Sequence, residues 1–396
     1  MEKINVLKQM QELKNALAYS KRIGFFFGAG TSCAFGLPNI VALSTAVIAG
    51  LEPDERAHFQ QVQESVKQLT GNTSATVEDV LNYIRQIRDI TRERPDKQYD
   101  GISGQLALQL DTHICQTIFN AIITSETSAD ITMLKKFFAW FDSLDCNSTK
   151  EIFTTNYDML FEKALEQNNI PYFDGFVGAY EPFFHSECIE HSIHSSDVTY
   201  RWVRLWKIHG SLNWQGKTST ADGAKRIIRI GKTDKPVDEM MIYPTREKYN
   251  LSRKQPYIAY FDHLKEYLLS SETMFMISGY SFNDQHVNNV LLSCLRQNPR
   301  LCIFVFCYSD DQVSAMESYG TLYMNLFVFG PKKVITRGQC LDWILDDATG
   351  YDAKDKDQYW DTSSSSFFLG DFSKLVKFLI ENSGNQALIE GDKHGK

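Results

Sequence analysis

Apolar positions along this chain follow two rhythms. Ile4, Leu7, Leu13, Ala16 and Leu17 recur close to helical spacing, which predicts an amphipathic helix over residues 2–20. The run I-G-F-F-F (23–27) then stops at a glycine and reads as a short buried strand. Beyond Pro38 the rhythm is helical for about a hundred residues: Val80, Tyr83, Ile84, Ile87 and Ile90, then Ile114, Ile118, Ile122 and Ile123, then Leu134, Phe137, Phe138 and Phe141. Segment 91–105 interrupts it as an expected exposed loop.

Short apolar runs return at 151–155, 201–208, 241–245, 274–278, 301–308 and 322–329. Helical stretches at 158–168, 257–270 and 284–297 lie among them, as does an irregular aromatic-rich stretch at 172–187. Several runs are apolar throughout, as strands covered on both faces should be. Strands alternating with helices predict an α/β protein: a Rossmann-like, doubly wound parallel sheet with a helical insertion and a small C-terminal extension. The expected division is residues 1–38 for the first helix, strand and glycine loop, 39–147 for the insertion, 148–310 for the rest of the sheet domain and 311–396 for the extension. In that extension, 351–366 is polar, contains S-S-S-S and is expected to be mobile, and 367–382 reads as a terminal amphipathic helix.

Composition narrows the function classes. The 396 residues carry a net charge of −8, which argues against direct nucleic-acid binding; T-R-E-K-Y-N-L-S-R-K (245–254) is the most basic stretch and reads as a solvated face. The eight cysteines include no C-x-x-C pair, so a four-thiolate zinc site has no support and no metal is expected. No apolar run is long enough to span a membrane, and the N-terminal residues lack a signal-peptide pattern. A cytoplasmic protein with reduced thiols is expected.

Four polar or glycine-rich turns follow predicted strands. G-A-G-T-S (28–32) offers Gly28 and Gly30, through which a phosphate could reach backbone N–H groups, and the hydroxyls of Thr31 and Ser32; a plain strand-to-helix turn would explain it equally well. Cys33 stands where a dinucleotide fingerprint needs its third glycine, and no G-K-[ST] occurs. In T-T-N-Y-D (154–158), Asn156 and Asp158 are placed either to grip hydroxyls or a carboxamide, or to cap a helix. In K-I-H-G-S-L-N-W (207–214), His209 is a candidate base at a strand end. In S-G-Y-S-F-N-D (278–284), Ser281, Asn283 and Asp284 follow another glycine turn, with Asp284 as a cap or a ligand contact. In a parallel sheet all four turns fall on one edge, and their concurrence is more specific than any one alone.

These motifs, in this order over residues 20 to 310, resemble the sirtuin-like proteins, and G-Y-S-F-N-D-Q-H-V-N is similar to their prokaryotic branch associated with antiphage defence, in particular the subunit that works beside a HerA-type ATPase. The resemblance implies an NAD⁺ site at the carboxyl edge of the sheet. Gly28, Ala29, Gly30, Thr31 and Ser32 match the phosphate-binding loop, Asn156 the asparagine that binds the nicotinamide ribose and a water, Asp158 the acid at the carboxamide and His209 the catalytic histidine. Gly279 and Ser281 would lie near the adenosine half. The chain departs from the protein-deacylating members: Pro38 is followed by Asn39, Ile40 and Val41, the zinc cysteines are missing, and His209 lies much further beyond Asp158. The implied activity is therefore hydrolysis of NAD⁺ to nicotinamide and ADP-ribose, serving to deplete NAD⁺ in antiphage defence. A protein deacylase, or a non-enzymatic subunit that senses NAD⁺ or ADP-ribose, are the alternatives. A toxic activity needs control, so a homo-oligomer or the ATPase partner is expected.

Overall fold

A computed structural model describes residues 2–71, 75–144, 148–190, 197–218, 225–232, 255–347, 350–351 and 353–382. Ten strands form one sheet: β1 (Lys3–Asn5), β2 (Ile23–Phe27), β3 (Lys150–Thr154), β4 (Tyr172–Phe173), β5 (Val203–Lys207), β6 (Thr273–Ser278), β7 (Leu301–Phe306), β8 (Leu326–Phe329), β9 (Lys333–Thr336) and β10 (Gln339–Ile344). Their order is β1-β10-β9-β8-β7-β6-β2-β3-β5-β4. Every pairing from β8 to β4 is parallel, whereas β8–β9 and β9–β10 are antiparallel.

The apolar runs sort their side chains to the two sheet faces. Successive strand residues point to opposite sides, so Phe25, Phe27, Ile152, Met274 and Met276 join one core cluster while Phe26, Phe153, Trp206, Phe275 and Ile277 join the other. Helices Val6–Tyr19, Thr132–Ser143, Leu160–Gln167 and Phe372–Asn382 cover the first face; Tyr257–Leu269 and Gln285–Gln297 cover the second. The sheet is thus doubly wound. From β2 the chain steps outward through β3 to β5, then returns to the other side of β2 with β6 and β7. That reversal, between β2 and β6, is where such sheets open a ligand crevice.

Between β2 and β3 the chain is mainly helical, with Gly104–Ser128 as its longest helix and one hairpin of two-residue strands, Gln98–Tyr99 and Ile102–Ser103. Three features depart from the sequence expectations. The first residues of the expected N-terminal helix form β1, which pairs with Asp342–Ile344 at the far end of the chain. The antiparallel β9–β10 hairpin was not foreseen, although Arg337–Gly338, both at positive φ, supply the two-residue turn such hairpins favour. Residues 353–366 of the segment expected to be mobile are built rather than loose: Trp360 is buried, Trp360–Asp361 pairs with Ser366–Phe367, and the Asp361 carboxylate accepts from the hydroxyls of Ser363 and Ser364. The 172–187 stretch contributes β4 and two short strands, Phe176–Val177 and Phe183–Phe184, of a small antiparallel sheet completed by Trp214–Thr218 and Lys225–Arg229. The expected strand at 241–245, the basic stretch 245–254 and Cys146 lie outside the described residues.

Candidate functional site

Four adjacent strands end level with one another. In the parallel register Ser278 of β6 pairs with Phe27 of β2, Phe27 with Thr154 of β3, and Thr154 with Lys207 of β5. The four turns singled out in the sequence therefore start from one line across the sheet, about 14 Å wide at the usual strand spacing.

Neighbouring turns are tied to one another. The N–H groups of Gly28 and Gly30 donate to the carbonyls of Ser278 (3.0 Å) and Gly279 (2.8 Å), and the Thr31 hydroxyl donates to the Ser278 carbonyl (3.2 Å). The glycines are needed because two backbones meet there. A Cβ on Gly28 would lie 2.5 Å from the Gly279 carbonyl oxygen, and one on Gly279, whose φ is +68°, would lie 2.3 Å from the Thr31 nitrogen. What approaches the first glycine turn on that side is the fourth turn of the same chain. Three of its N–H groups, those of Gly28, Gly30 and Thr31, already have carbonyl partners, while Ala29 and Gly30 remain exposed on the rim. Gly279→Ala is expected to destabilise the fold by about 1–3 kcal/mol, measured as a lower denaturant midpoint; an unchanged midpoint would contradict this packing.

The first and second turns meet through side chains. The Ser32 hydroxyl donates to Asp158 Oδ2 (2.5 Å), and Asn156 Nδ2 donates to Ser32 Oγ (2.8 Å). Asp158 Oδ1 also accepts from the Leu160 N–H (3.2 Å) at the start of helix Leu160–Gln167, although the N-cap position itself is taken by Met159. Asn156 is 6% exposed, and among the described residues its Oδ1 has no hydrogen-bond partner. A buried amide oxygen left without a donor is unfavourable unless something else supplies one.

The second and third turns join through the Ile208 N–H to the Thr154 carbonyl, the Leu212 N–H to the Tyr157 carbonyl, and Lys207 Nζ to the Asp158 carbonyl (2.6 Å). The ring closes across the rim: His209 Nε2 lies 2.8 Å from Asp284 Oδ2. Asp284 Oδ1 meanwhile accepts from the His286 N–H (2.9 Å) and so caps helix Gln285–Gln297. One carboxylate thus anchors a helix and stands against the imidazole. Ser281 is exposed on the same turn, beside Phe282 at a positive φ of 57°.

Beneath the turns lies a charge cluster that motif reading missed. Lys207 Nζ is 2.6 Å from Glu162 Oε1 and donates to Ser211 Oγ (2.8 Å). Burial raises the Glu162 carboxyl, against the pull of Lys207. Burial likewise pushes the Cys33 thiol up, with Asp158 adding to it. The only sequence signals were Lys207, a charge inside an apolar strand, and Glu162 on the buried stripe of its helix. Among the described residues no group of His, Cys, Asp and Glu could hold a metal ion, and no helix is long and apolar enough to cross a membrane.

Residues 150–324 match the family model of the SIR2-like domain. The matched stretch carries β3, β5, β6 and β7 and with them Asn156, Asp158, His209, Gly279, Ser281 and Asp284. The first glycine turn lies outside the match and is bound to it by the hydrogen bonds of Gly30 and Ser32. No curated protein matches the chain. Among solved structures, the crystal structure of a Sir2 homolog–NAD complex aligns at 13% identity, covering 74% of this chain and 81% of that one, with a TM-score of 0.35. A mutant Sir2 homologue–ADP ribose complex aligns at 12% identity, covering 74% and 84%, with a TM-score of 0.33.

Proposed function

We propose that the protein is an NAD⁺ glycohydrolase whose reacting centre lies between Asn156 and His209. The observation that carries this is the unpartnered Oδ1 of buried Asn156, set on a rim where His209 is held by a carboxylate. The net reaction is NAD⁺ plus water giving nicotinamide, ADP-ribose and a proton. It requires a group that orients the ribose and a water, and a base that takes the proton.

The residues present fit such a substrate. Asn156 Oδ1 accepts from a ribose hydroxyl or the attacking water, while its Nδ2 is fixed by Ser32. Asp158 faces the carboxamide, with one oxygen held by Ser32 and the other by the Leu160 N–H. His209 takes the proton, and Asp284 keeps the imidazole in place. Ala29 and Gly30, with Thr31 behind them, edge the diphosphate side, and Gly279 and Ser281 the adenosine side. The helices of 39–147 shield the site from bulk water or make subunit contacts.

The motif form G-Y-S-F-N-D-Q-H-V-N supports a cytoplasmic role in antiphage defence, with control by a homo-oligomer or by a HerA-type ATPase. The absence of C-x-x-C pairs weighs against the deacylase alternative.

Purified protein is incubated with NAD⁺, with and without an acetylated peptide, while nicotinamide and ADP-ribose are followed. Release without peptide is expected. Release only with peptide would mean a deacylase, and binding without turnover a sensor. Asp284→Asn keeps an N-cap side chain but removes the charge facing His209. Its nicotinamide release is expected to fall at least about tenfold in kcat with KM little changed; an unaltered kcat would remove Asp284 from the proposal.

A further inference from the structure

The long insertion helix Gly104–Ser128 ends against the second turn. In its last turn the Glu126 side chain accepts from the Met159 N–H (2.6 Å), and Lys163 Nζ donates to the Glu126 backbone carbonyl (3.0 Å). Met159 stands between Asp158 and Leu160, the first residue of helix Leu160–Gln167. The insertion therefore grips the segment that carries Asn156 and Asp158 directly after its functional side chains.

The grip sits in a crowded electrostatic setting. Asp158 faces Glu126 from the turn, Glu162 from helix Leu160–Gln167 and Lys207 from β5. Lys207 is already engaged by Glu162 Oε1 and the Asp158 carbonyl, and Lys163 is directed to a carbonyl. An ionised Glu126 would thus be a third carboxylate beside two others, with neither ammonium bonded to it, and it stands at a helix C-terminus, where negative charge is disfavoured. Burial, with Asp158 and Glu162, opposes the charged form, and outweighs the Met159 N–H and Lys207, which favour it.

We propose that Glu126 is a positioning residue for the Asn156–Asp158 turn: uncharged it clamps the turn to the insertion through Met159, and ionised it loosens the clamp. The local coupling stands on the hydrogen bond and the surrounding carboxylates, and its effect on ligand binding rests on the functional reading of Asn156 given above. Burial, with Asp158 and Glu162 adding to it, pushes the Glu126 carboxyl up to about 7, so the clamp responds across neutral pH.

Hydrogen–deuterium exchange of the segment from 155 to 160 tests this without any turnover, after correction for the intrinsic pH dependence of exchange. In the wild-type protein, opening of this segment is expected to rise about tenfold from pH 6 to pH 8, following the ionised fraction of a group titrating near neutrality. In Glu126→Gln, which keeps an acceptor and stays neutral, protection is expected to be the same at both pH values. In Glu126→Ala it is expected to be low at both. A wild-type segment whose protection does not change with pH overturns the proposal, and so does a Glu126→Gln profile equal to that of the wild type. Should Glu126→Gln fail to fold, the wild-type titration decides alone.

A parallel measurement of ADP-ribose affinity separates the two readings. Affinity lost with rising pH more steeply in the wild type than in Glu126→Gln connects the clamp to the site. No ADP-ribose binding in either protein at either pH would end the glycohydrolase reading and leave the exchange result to judge Glu126. Binding with equal pH dependence in both would end the role of Glu126 in positioning the site.

Discussion

His209→Ala and Asn156→Ala are each expected to lower nicotinamide release by at least about a hundredfold, the usual loss when a positioned base or a preorganised polar contact is removed. The reasons differ. His209 is the imidazole held at the rim by Asp284, and without it the proton released on attack of water has no positioned acceptor. Asn156 supplies a buried amide oxygen that lacks a donor among the described residues, and in the proposed reaction ribose and water lose their common anchor without it. Neither change should unfold the protein. The His209 side chain is 14% exposed at the rim, and Asp284 keeps its helix-capping bond to His286 when the ring is gone. Truncating Asn156 removes its hydrogen bond to Ser32, worth about 1 kcal/mol, while the Ser32 hydroxyl keeps Asp158. Product release is measured beside thermal unfolding. Full activity in either variant refutes the assignment, and loss of activity with loss of folding in both would move these residues into the framework.

Glu151→Gln should do the opposite: leave the chemistry and weaken the frame, by about 3–5 kcal/mol. Glu151 is fully buried at the start of β3. Its carboxylate receives Trp206 Nε1 and the Thr149 hydroxyl, both at 2.5 Å, with His263 Nε2 at 3.2 Å and Arg204 Nε at 3.7 Å. Burial alone would raise this carboxyl, but His263 and Arg204 outweigh it and hold it at about 2, against an ordinary 4.5. Burial meanwhile pulls Arg204 down, and Glu151 only partly offsets this. The amide would leave that guanidinium buried without its counter-charge.

The sign of the pH effect follows. A carboxyl held below its unfolded value binds fewer protons when folded, so its contribution is fully present above about pH 4.5 and is lost as pH falls toward 2. The gap corresponds to about 3 kcal/mol. Denaturant titrations of wild type and variant should therefore differ most near neutrality and converge in acid. A gap that does not shrink in acid would mean that the ionised Glu151 is not what stabilises this corner. Activity per folded molecule should match the wild type.

Much of this architecture was legible from local pattern. The runs containing Phe25–Phe27, Met274–Ile277 and Ile303–Phe306 are apolar throughout because both sheet faces are covered, and that reads directly as a parallel sheet. The turns after the central strands were legible because Gly, Asn, Asp and His are out of place beside such runs. The double duty of Asp284 was not, since a helix cap explains it fully until His209 is seen beside it. Glu126 was hidden for a similar reason: on its own helix it is one more polar residue.

The sequence by itself determined which central strands are buried and which turns after them are polar or glycine-rich, because burial and turn formation depend on residues adjacent in the chain. Only the tertiary structure decided that β1 joins β10, that Gly28 and Gly279 face one another, that Ser32 bridges Asn156 and Asp158, and that His209 reaches Asp284. Each of these contacts joins groups far apart in sequence. Their register is set by the level ends of β6, β2, β3 and β5, a property of the assembled sheet that no local pattern encodes.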